Sequence, residues 1–247
     1  MGKRNRYGLP RTIKESVKKQ IRKNCGFGCV ICGAGIYEYE HVDPEYSAAK
    51  VHDPAKMTLL CGQCHGKKTR GFLSKEAVIA AMQDPYCRKS GFAKERLDIG
   101  LKHPKVIFAG SVLNKCNIPV MAKGKKLIEI KSPRSKGESY LINADFNDST
   151  GKRALTIKNN IWKATSDVWD MKCEGGKITI KENDKTHLIL ELQPPDTIAI
   201  LKIDTKIDNV LIQGDTKNVT IIDETNNTKV VISKGMVNDA IIGFDFY

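Results

Sequence analysis

Two short stretches, Cys29-Val-Ile-Cys32 and Cys61-Gly-Gln-Cys64-His65, decide how the N-terminal part of this 247-residue chain folds. The two Cys-x-x-Cys pairs are separated by 28 residues. Paired knuckles at this spacing are typical of a four-thiolate zinc site, in which two turns close around one tetrahedral ion. We therefore expect Cys29, Cys32, Cys61 and Cys64 to hold a structural Zn²⁺.

The loop between the two pairs carries a second group of reactive side chains. Glu40 and His41 are neighbours in a run that alternates like a β-strand and stops at Asp43-Pro44. Neighbouring strand residues point to opposite faces, so both can serve one site only where the strand ends. A zinc ion bound by the four cysteines would hold Glu40, His41 and His65 close to each other, which predicts a candidate active site.

The net charge of +13 is concentrated in the part of the chain that holds the two Cys-x-x-Cys pairs. Residues 1–110 contain 21 Lys and Arg against 10 Asp and Glu, whereas the remainder contains 20 against 18. A basic region of this kind attracts polyanions, of which nucleic acid is the commonest in a cytosol. Charge alone does not separate DNA from RNA or from an acidic protein.

Acidic residues are nevertheless crowded around His41, at Glu38, Glu40, Asp43 and Glu45. Carboxylates that approach phosphates would repel them unless a cation lies between, which favours a hard divalent ion held by oxygen and imidazole. A polar strand edge and turn is the alternative interpretation, and it accounts for Glu38 and Glu45.

The sequence also bears on the compartment of the protein. No apolar run approaches the ~18 residues that a membrane span requires. The basic N-terminus lacks the apolar stretch of a secretory signal. We therefore expect a cytoplasmic protein without a membrane partner, and a reducing compartment suits cysteines that act as metal ligands.

From about residue 105 the pattern changes to β-branched apolar runs that recur near every tenth residue and are separated by turn signals. This predicts an α+β chain. Residues 1–104 would form a basic zinc-stapled module with flanking helices, and residues 105–247 an all-β accessory domain. That domain would be a sandwich, barrel or short solenoid that oligomerises, recognises a substrate feature or docks a protein partner. Trp162 and Trp169 are expected in its core rather than on a base-stacking surface.

The cysteine pairs, Glu40-His41 and the run Leu59-Leu60-Cys61-x2-Cys64-His65 together resemble the HNH nuclease family, of the zinc-stapled ββα-metal type. The resemblance covers roughly the first 75 residues. It implies an endonuclease in which His41 is the general base that activates a water molecule. Glu40 and His65 would bind a catalytic Mg²⁺ or Mn²⁺, with Ni²⁺ also compatible, and the four cysteines would be structural.

The same resemblance assigns basic residues to the substrate. Lys67, Lys68 and Arg70 follow His65 directly, so they would line the scissile phosphate of DNA. Lys56 is grouped with them as a DNA contact, but it stands where the family usually has an Asn that orients the general base. Either Lys56 or the nearby His52-Asp53 replaces that Asn, or the site is impaired. His52 or Asp53 would steer the His41 ring through a hydrogen bond.

Three functional hypotheses follow from the sequence. The first is a DNA endonuclease, placed by analogy in bacterial restriction or phage defence. The second is a non-catalytic zinc-knot protein that binds nucleic acid, which Lys56 at the Asn position favours. The third is a nuclease subunit that is active only in a complex, which exposed strand edges in the β domain would favour.

Overall fold

The helices of the chain lie in its first ninety residues. The structure is a computed structural model that describes residues 4–247. Within that range the helices are α1 (Glu15–Cys25), α2 (Gly62–Thr69), α3 (Lys75–Gln83) and α4 (Tyr86–Ser90). Most of the remaining ordered structure is β, so the chain is a mainly β protein with a small helical part and a cluster of four cysteines.

The chain divides by its internal contacts into two units. The first runs to Glu95 and includes Thr165–Cys173, and the second comprises Arg96–Ala164 and Glu174–Tyr247. The domain boundary between residues 104 and 105 stays a prediction, because contact density does not show which part of a chain folds by itself.

A two-stranded hairpin forms the centre of the first unit. Strand β1 (Glu38–His41) pairs antiparallel with β2 (Met57–Leu60), and Glu40 lies opposite Thr58. All four residues of β2 are buried, which explains why this strand has a continuous apolar sequence rather than an alternating one. The core around it includes Ile21 of α1 and Val78 of α3. Strand β3 (Phe92–Arg96) follows α4.

The starts of the helices show where local sequence signals decide the structure. Thr12 and Glu15 have capping-box spacing, which predicts a helix that begins near Thr12. That prediction is wrong, because α1 begins at Glu15 with Lys14 as its N-cap and no side-chain cap bond. The Glu15 carboxylate instead accepts a hydrogen bond from Arg22, two helical turns further along the chain. Ser74 is the expected N-cap of a helix over Lys75–Gln83. This prediction is confirmed, since the Ser74 hydroxyl oxygen accepts from Ala77 N at the start of α3.

The second unit is built from strands alone among the residues that the structure describes. Two further groups of strands follow β3 in chain order. The first group is β4 (Lys105–Phe108), β5 (Ser111–Asn114), β6 (Ile118–Ala122), β7 (Lys125–Lys131), β8 (Leu141–Asn147), β9 (Arg153–Lys158) and β10 (Ile161–Thr165). After β11 (Asp170–Glu174), the second group is β12 (Lys177–Glu182), β13 (Lys185–Gln193), β14 (Thr197–Ile207), β15 (Val210–Gly214), β16 (Asn218–Asp223), β17 (Thr228–Ser233), β18 (Met236–Asn238) and β19 (Ile242–Phe246).

These strands form two sheets. One has the order β19-β6-β7-β8-β9-β10, and the other has β12-β13-β14-β15-β16-β17, with β4 added parallel to β14. The apolar runs read from the sequence between residues 178 and 246 fall on these strands. The sheets touch where Asn147 N donates to the Thr205 hydroxyl oxygen. Strand β17 ends its sheet, and Val230 and Val231 are about half exposed there.

The two tryptophans differ in their surroundings. Trp162 is buried in the second unit, as predicted. Trp169 belongs to the segment Thr165–Cys173 of the first unit and is only partly buried. The ammonium of Lys19 lies 3.0 Å from the centroid of its ring, and that of Lys23 lies 4.9 Å away. Trp169 is therefore not a core residue of the β domain, because its ring face is covered by the basic side of α1.

Candidate metal centre and active site

Four cysteine sulfurs meet at the base of the hairpin. The Sγ atoms of Cys29, Cys32, Cys61 and Cys64 all lie within 4.8 Å of one another. Cys32 Sγ is 3.6 Å from Cys61 Sγ and 3.8 Å from Cys64 Sγ. Ligands at about 2.3 Å from a tetrahedral zinc ion are separated by about 3.8 Å. The cluster could therefore bind a metal ion such as zinc.

Each knuckle is shaped by backbone geometry that its sequence permits. In the first, Gly33 adopts φ +76 and donates its N–H to Cys29 O, which closes the turn. In the second, Cys61 is the N-cap of α2, and its sulfur accepts from Cys64 N at 3.4 Å. The second pair of cysteines thus enters the cluster through the first turn of a helix.

Two other cysteines lie near the cluster without belonging to it. Cys25 and Cys87 are buried, and burial raises the pKa of Cys25 to about 11 and that of Cys87 to about 12. Both stay protonated at neutral pH. A protonated thiol is a poor metal ligand and a poor nucleophile, so these two residues act as packing.

The hairpin and α2 bring Glu40 and His65 together. Glu40 Oε2 lies 3.2 Å from His65 Nε2, and Glu40 is largely buried whereas His65 is about one-third exposed. A distance of 3.2 Å between these atoms is a hydrogen-bonding distance, and it is also close to the roughly 3 Å that separates two neighbouring ligands at about 2.1 Å from one octahedral ion. A divalent cation held by this pair would keep its other positions open.

Lys68 occupies the other oxygen of the same carboxylate. Its Nζ donates to Glu40 Oε1 at 2.8 Å and lies 3.6 Å from Glu45 Oε1. Burial lowers the pKa of Lys68, but the hydrogen bond to Glu40 and the charges of both carboxylates outweigh burial and raise it. The side chain is thus a fixed cation next to the candidate metal ligands.

His41 is held by a second histidine. His41 Nε2 lies 3.1 Å from His52 Nδ1, and His52 Nε2 lies 2.9 Å from Pro10 O. The sequence predicted that His52 or Asp53 would steer His41, and the structure brings His52 into contact. The Asp53 carboxylate instead accepts from Ala55 N within its own turn.

The direction of these hydrogen bonds fixes the tautomer of His41. A carbonyl oxygen can only accept, so the proton of a neutral His52 ring lies on Nε2 and its Nδ1 is an acceptor. His41 Nε2 must then carry the proton of a neutral His41 ring, which leaves His41 Nδ1 as the basic nitrogen. Burial, followed by the charge of His52, lowers the pKa of His41. The neutral form required of a general base is therefore favoured.

An open cleft of about 840 Å³ joins these residues. Glu40 and His41 both line it, as the end of β1 at His41 allows. His65 and Lys68 line it as well, and Arg11 and Tyr46 contribute from the flanking loops. The Arg11 guanidinium lies 4.8 Å from the Tyr46 ring centroid. Glu40, His41, His65 and Lys68 therefore share one solvent-accessible cavity.

The remaining predicted residues lie around this cleft rather than in it. Lys67 and Arg70 are exposed at the end of α2. Lys56 and Asp53 line a separate cavity of about 290 Å³, which His41 also borders. The contact that could replace that of the orienting Asn comes from His52, whose Nδ1 lies 3.1 Å from His41 Nε2.

Several contributors could not be identified from the sequence. Pro10 acts through its backbone carbonyl, which is present in every residue and leaves no sequence signal. Asn5 donates to Tyr46 O and Ala49 O, and Tyr46 donates to Leu9 O, so the N-terminal segment is tied to the loop that carries His52. These contacts join residues about forty positions apart, and only the folded chain reveals them.

No known protein family, curated protein or solved structure matches the chain. A functional assignment therefore depends on the geometry of the site. Among the described residues, every helix is too short or too polar to cross a lipid bilayer.

Proposed function

We propose that this protein is a metal-dependent endonuclease of the HNH type that hydrolyses phosphodiester bonds in DNA. The observation that carries the proposal is the meeting of Glu40, His65 and an oriented His41 in one open cleft beside a four-cysteine cluster. A carboxylate and an imidazole with ligand spacing next to a second imidazole with a free basic nitrogen are the groups that water-mediated phosphodiester hydrolysis requires.

Each residue has a defined task in this proposal. His41 Nδ1 accepts the proton of the attacking water, while His52 and Pro10 O hold the ring. Glu40 and His65 bind a divalent cation, Mg²⁺ or Mn²⁺, which when bound stabilises negative charge on the phosphate and the leaving oxygen. Zinc in the four-cysteine cluster would fix α2 against β2, so that His65 stays opposite Glu40.

The charge distribution supports a nucleic acid as the substrate class, and the resemblance to HNH nucleases makes DNA the one that we propose. Lys67 and Arg70 are exposed at the end of α2, next to Lys68 and Thr69, which line the cleft, and Arg11 lines the cleft as well. These cations would hold the phosphate backbone on either side of the scissile bond through contacts that do not depend on sequence. A bacterial restriction or defence role is the setting that we propose for such an enzyme.

A non-catalytic zinc-knot protein that binds nucleic acid, with recognition by its β domain, is the second candidate. The salt bridge of Lys68 to Glu40 favours it, because a carboxylate already neutralised by an ammonium has less need of a metal ion. A nuclease that works only in a complex is the third, and the half-exposed Val230 and Val231 on the edge strand β17 favour it.

Plasmid cleavage separates the candidates. Supercoiled plasmid is incubated with wild-type protein, His41→Ala, and His103→Ala as a histidine control from the second unit, each with Mg²⁺, Mn²⁺ or EDTA. We expect metal-dependent nicked or linear DNA from the wild type and the control, and a rate at least about 10²-fold lower from His41→Ala. Cleavage by His41→Ala at the wild-type rate would exclude the proposed base.

Binding measurements decide the outcome if none of the proteins cuts. A salt-sensitive shift of DNA on a gel by both wild type and His41→Ala would support the binding protein, since phosphate contacts weaken as salt rises. Cleavage that appears only in a larger assembly, seen by size-exclusion chromatography of the active fraction, would support the subunit of a complex.

A further inference from the structure

Lys68 differs from the other cations on α2. Its side chain is only 12% exposed, and its ammonium lies between the carboxylates of Glu40 and Glu45. Lys67, the preceding residue, is exposed. A lysine used only to attract DNA would keep its ammonium in solvent, so the position of Lys68 calls for a different role.

We propose that Lys68 is the counter-cation of Glu40 while no metal ion is bound. When a divalent cation binds, Lys68 releases the carboxylate and its ammonium turns to a phosphate of the nucleic acid. The inference rests on the proposed function, and it assigns Lys68 the coupling between metal binding and substrate binding. Lys68 is thus a positioning residue for Glu40 before the metal binds and a phosphate ligand afterwards.

The charges at Glu40 support this exchange. One oxygen, Oε2, faces His65 at 3.2 Å, and the other, Oε1, is bound by Lys68 at 2.8 Å. A divalent cation at the Glu40–His65 pair would therefore lie within a few ångströms of an ammonium, and like charges this close repel strongly in a half-buried site. Lys68 must move away, or the cation binds weakly.

The same contact protects the site before the metal arrives. Glu40 is only 15% exposed, and an unpaired carboxylate at such a position would be costly. The ammonium neutralises it and keeps it oriented toward α2. The lysine stem is flexible, and Lys68 itself lines the cleft, so the ammonium can leave without a change in the backbone.

Linkage then predicts a cooperative effect of the substrate. If the ammonium opposes the metal at Glu40, a phosphate that attracts the ammonium away must raise the metal affinity by the same factor that the metal raises phosphate affinity. Metal and DNA would therefore bind together more tightly than independent binding would allow, which favours metal binding to protein that already holds DNA.

The test measures Mn²⁺ binding rather than cleavage. Full-length zinc-loaded wild type, Lys68→Met, Lys67→Met as a matched control, and Glu40→Gln are titrated with Mn²⁺, and free Mn²⁺ is followed by its electron paramagnetic resonance signal. We expect Lys68→Met to bind Mn²⁺ about 5- to 150-fold more tightly than wild type, the usual range for coupled sites. Lys67→Met and the charge-preserving Lys68→Arg should both bind like wild type.

A second measurement adds a nucleic acid. A phosphorothioate oligonucleotide that resists cleavage should tighten Mn²⁺ binding to wild type by a larger factor than to Lys68→Met, because its phosphate groups attract an ammonium away from Glu40 only in wild type. Equal Mn²⁺ affinity of wild type and Lys68→Met, or no effect of the oligonucleotide on wild type, would overturn the role of Lys68.

The Glu40→Gln variant separates this failure from failure of the proposed function. If Glu40→Gln abolishes Mn²⁺ binding while Lys68→Met leaves it unchanged, the metal site stands and only the counter-cation is wrong. If Glu40→Gln binds Mn²⁺ as tightly as wild type, the cation does not use Glu40, and both the proposed metal site and the role of Lys68 fail.

Discussion

At the scale of single residues, a chain of two hydrogen bonds prepares His41 for its proposed task. The bonds run from His41 Nε2 through the His52 ring to Pro10 O. Because the terminal acceptor is a carbonyl, the proton positions along the chain are determined and the basic nitrogen of His41 is Nδ1. A backbone atom thus decides which nitrogen of the proposed general base is the basic one.

Replacing His52 should weaken catalysis without removing the base. We expect His52→Ala to lower the cleavage rate about 10- to 100-fold, because the His41 ring loses the partner that fixes its orientation and tautomer. The ¹⁵N chemical shifts of the His41 ring should change from the Nε2-protonated pattern to a mixture of tautomers. An unchanged rate together with unchanged shifts would show that His52 does not position His41.

At the scale of secondary structure elements, a buried arginine ties α1 to two other segments. Arg22 is fully buried and makes two hydrogen bonds to the Asp170 carboxylate, at 2.9 and 2.7 Å. It also donates to the Tyr39 hydroxyl of β1 at 2.8 Å. Burial lowers the pKa of Arg22, but the bonds to Asp170 and Tyr39 outweigh it and raise the pKa, so the guanidinium stays charged.

Loss of this arginine should destabilise the first unit. We expect Arg22→Met to lower the free energy of unfolding by about 3–5 kcal/mol, because the Asp170 carboxylate is left buried without a partner. The double variant Arg22→Met/Asp170→Leu should recover part of the loss, since it removes both charges. Denaturant unfolding measures each value, and a loss below about 1 kcal/mol for Arg22→Met would contradict the prediction.

A second element-scale contact lies at the turn after β16. The Asp223 carboxylate accepts from Lys123 Nζ at 2.9 Å and from the N–H groups of Thr225 and Asn226. The hydrogen bond from Lys123 is the largest cause that lowers the pKa of Asp223, to about 2. The folded state therefore favours the ionised Asp223 carboxylate more strongly than the unfolded state does.

The sign of this shift predicts a pH-dependent stability. The stabilisation is complete above the unfolded pKa of about 3.9 and is lost as the pH falls toward 2. We expect Asp223→Asn to lower the melting temperature at pH 7 and to lower it much less near pH 2, as measured by circular dichroism. An effect of the same size at both pH values would show that the charge is not responsible.

At the scale of the whole molecule, the four-cysteine cluster and the candidate active site depend on the same few elements. Cys61 and Cys64 begin α2, and the same helix carries His65 and Lys68. The core that surrounds the cluster is small, so a metal ion would supply much of the stability of the first unit. Structure and activity should therefore be lost together when the metal is removed.

Chelation tests this dependence. We expect one zinc per chain by elemental analysis, and release of that zinc by a strong chelator should make Cys25 and Cys87 reactive toward a thiol reagent. In the loaded protein their raised pKa values and burial should keep both unreactive. Cys61→Ser should lose zinc, whereas Cys173→Ser should keep it. Slow labelling of Cys25 and Cys87 after complete zinc loss would show that the metal does not hold this part together.

Much of the fold could be predicted because its signals are local. The Cys-x-x-Cys spacing, the apolar run of β2, the Ser74 cap and the β-branched runs of the second unit each act over a few residues. The start of α1 could not be predicted in this way. The Glu15 side chain could form a capping box with Thr12 or a hydrogen bond with Arg22. It binds Arg22, whose guanidinium is held in place by the buried Asp170 carboxylate.

The sequence by itself determined the cysteine cluster and the strand-rich second part, since these follow from residue type and spacing. It proposed the roles of the candidate site residues through the resemblance to HNH nucleases. Only the tertiary structure decided that His52 rather than Asp53 or Lys56 holds His41, that Pro10 O sets its tautomer, and that Lys68 binds Glu40. Such contacts join residues far apart in the chain. They depend on how the loops close around the hairpin, which no local pattern encodes.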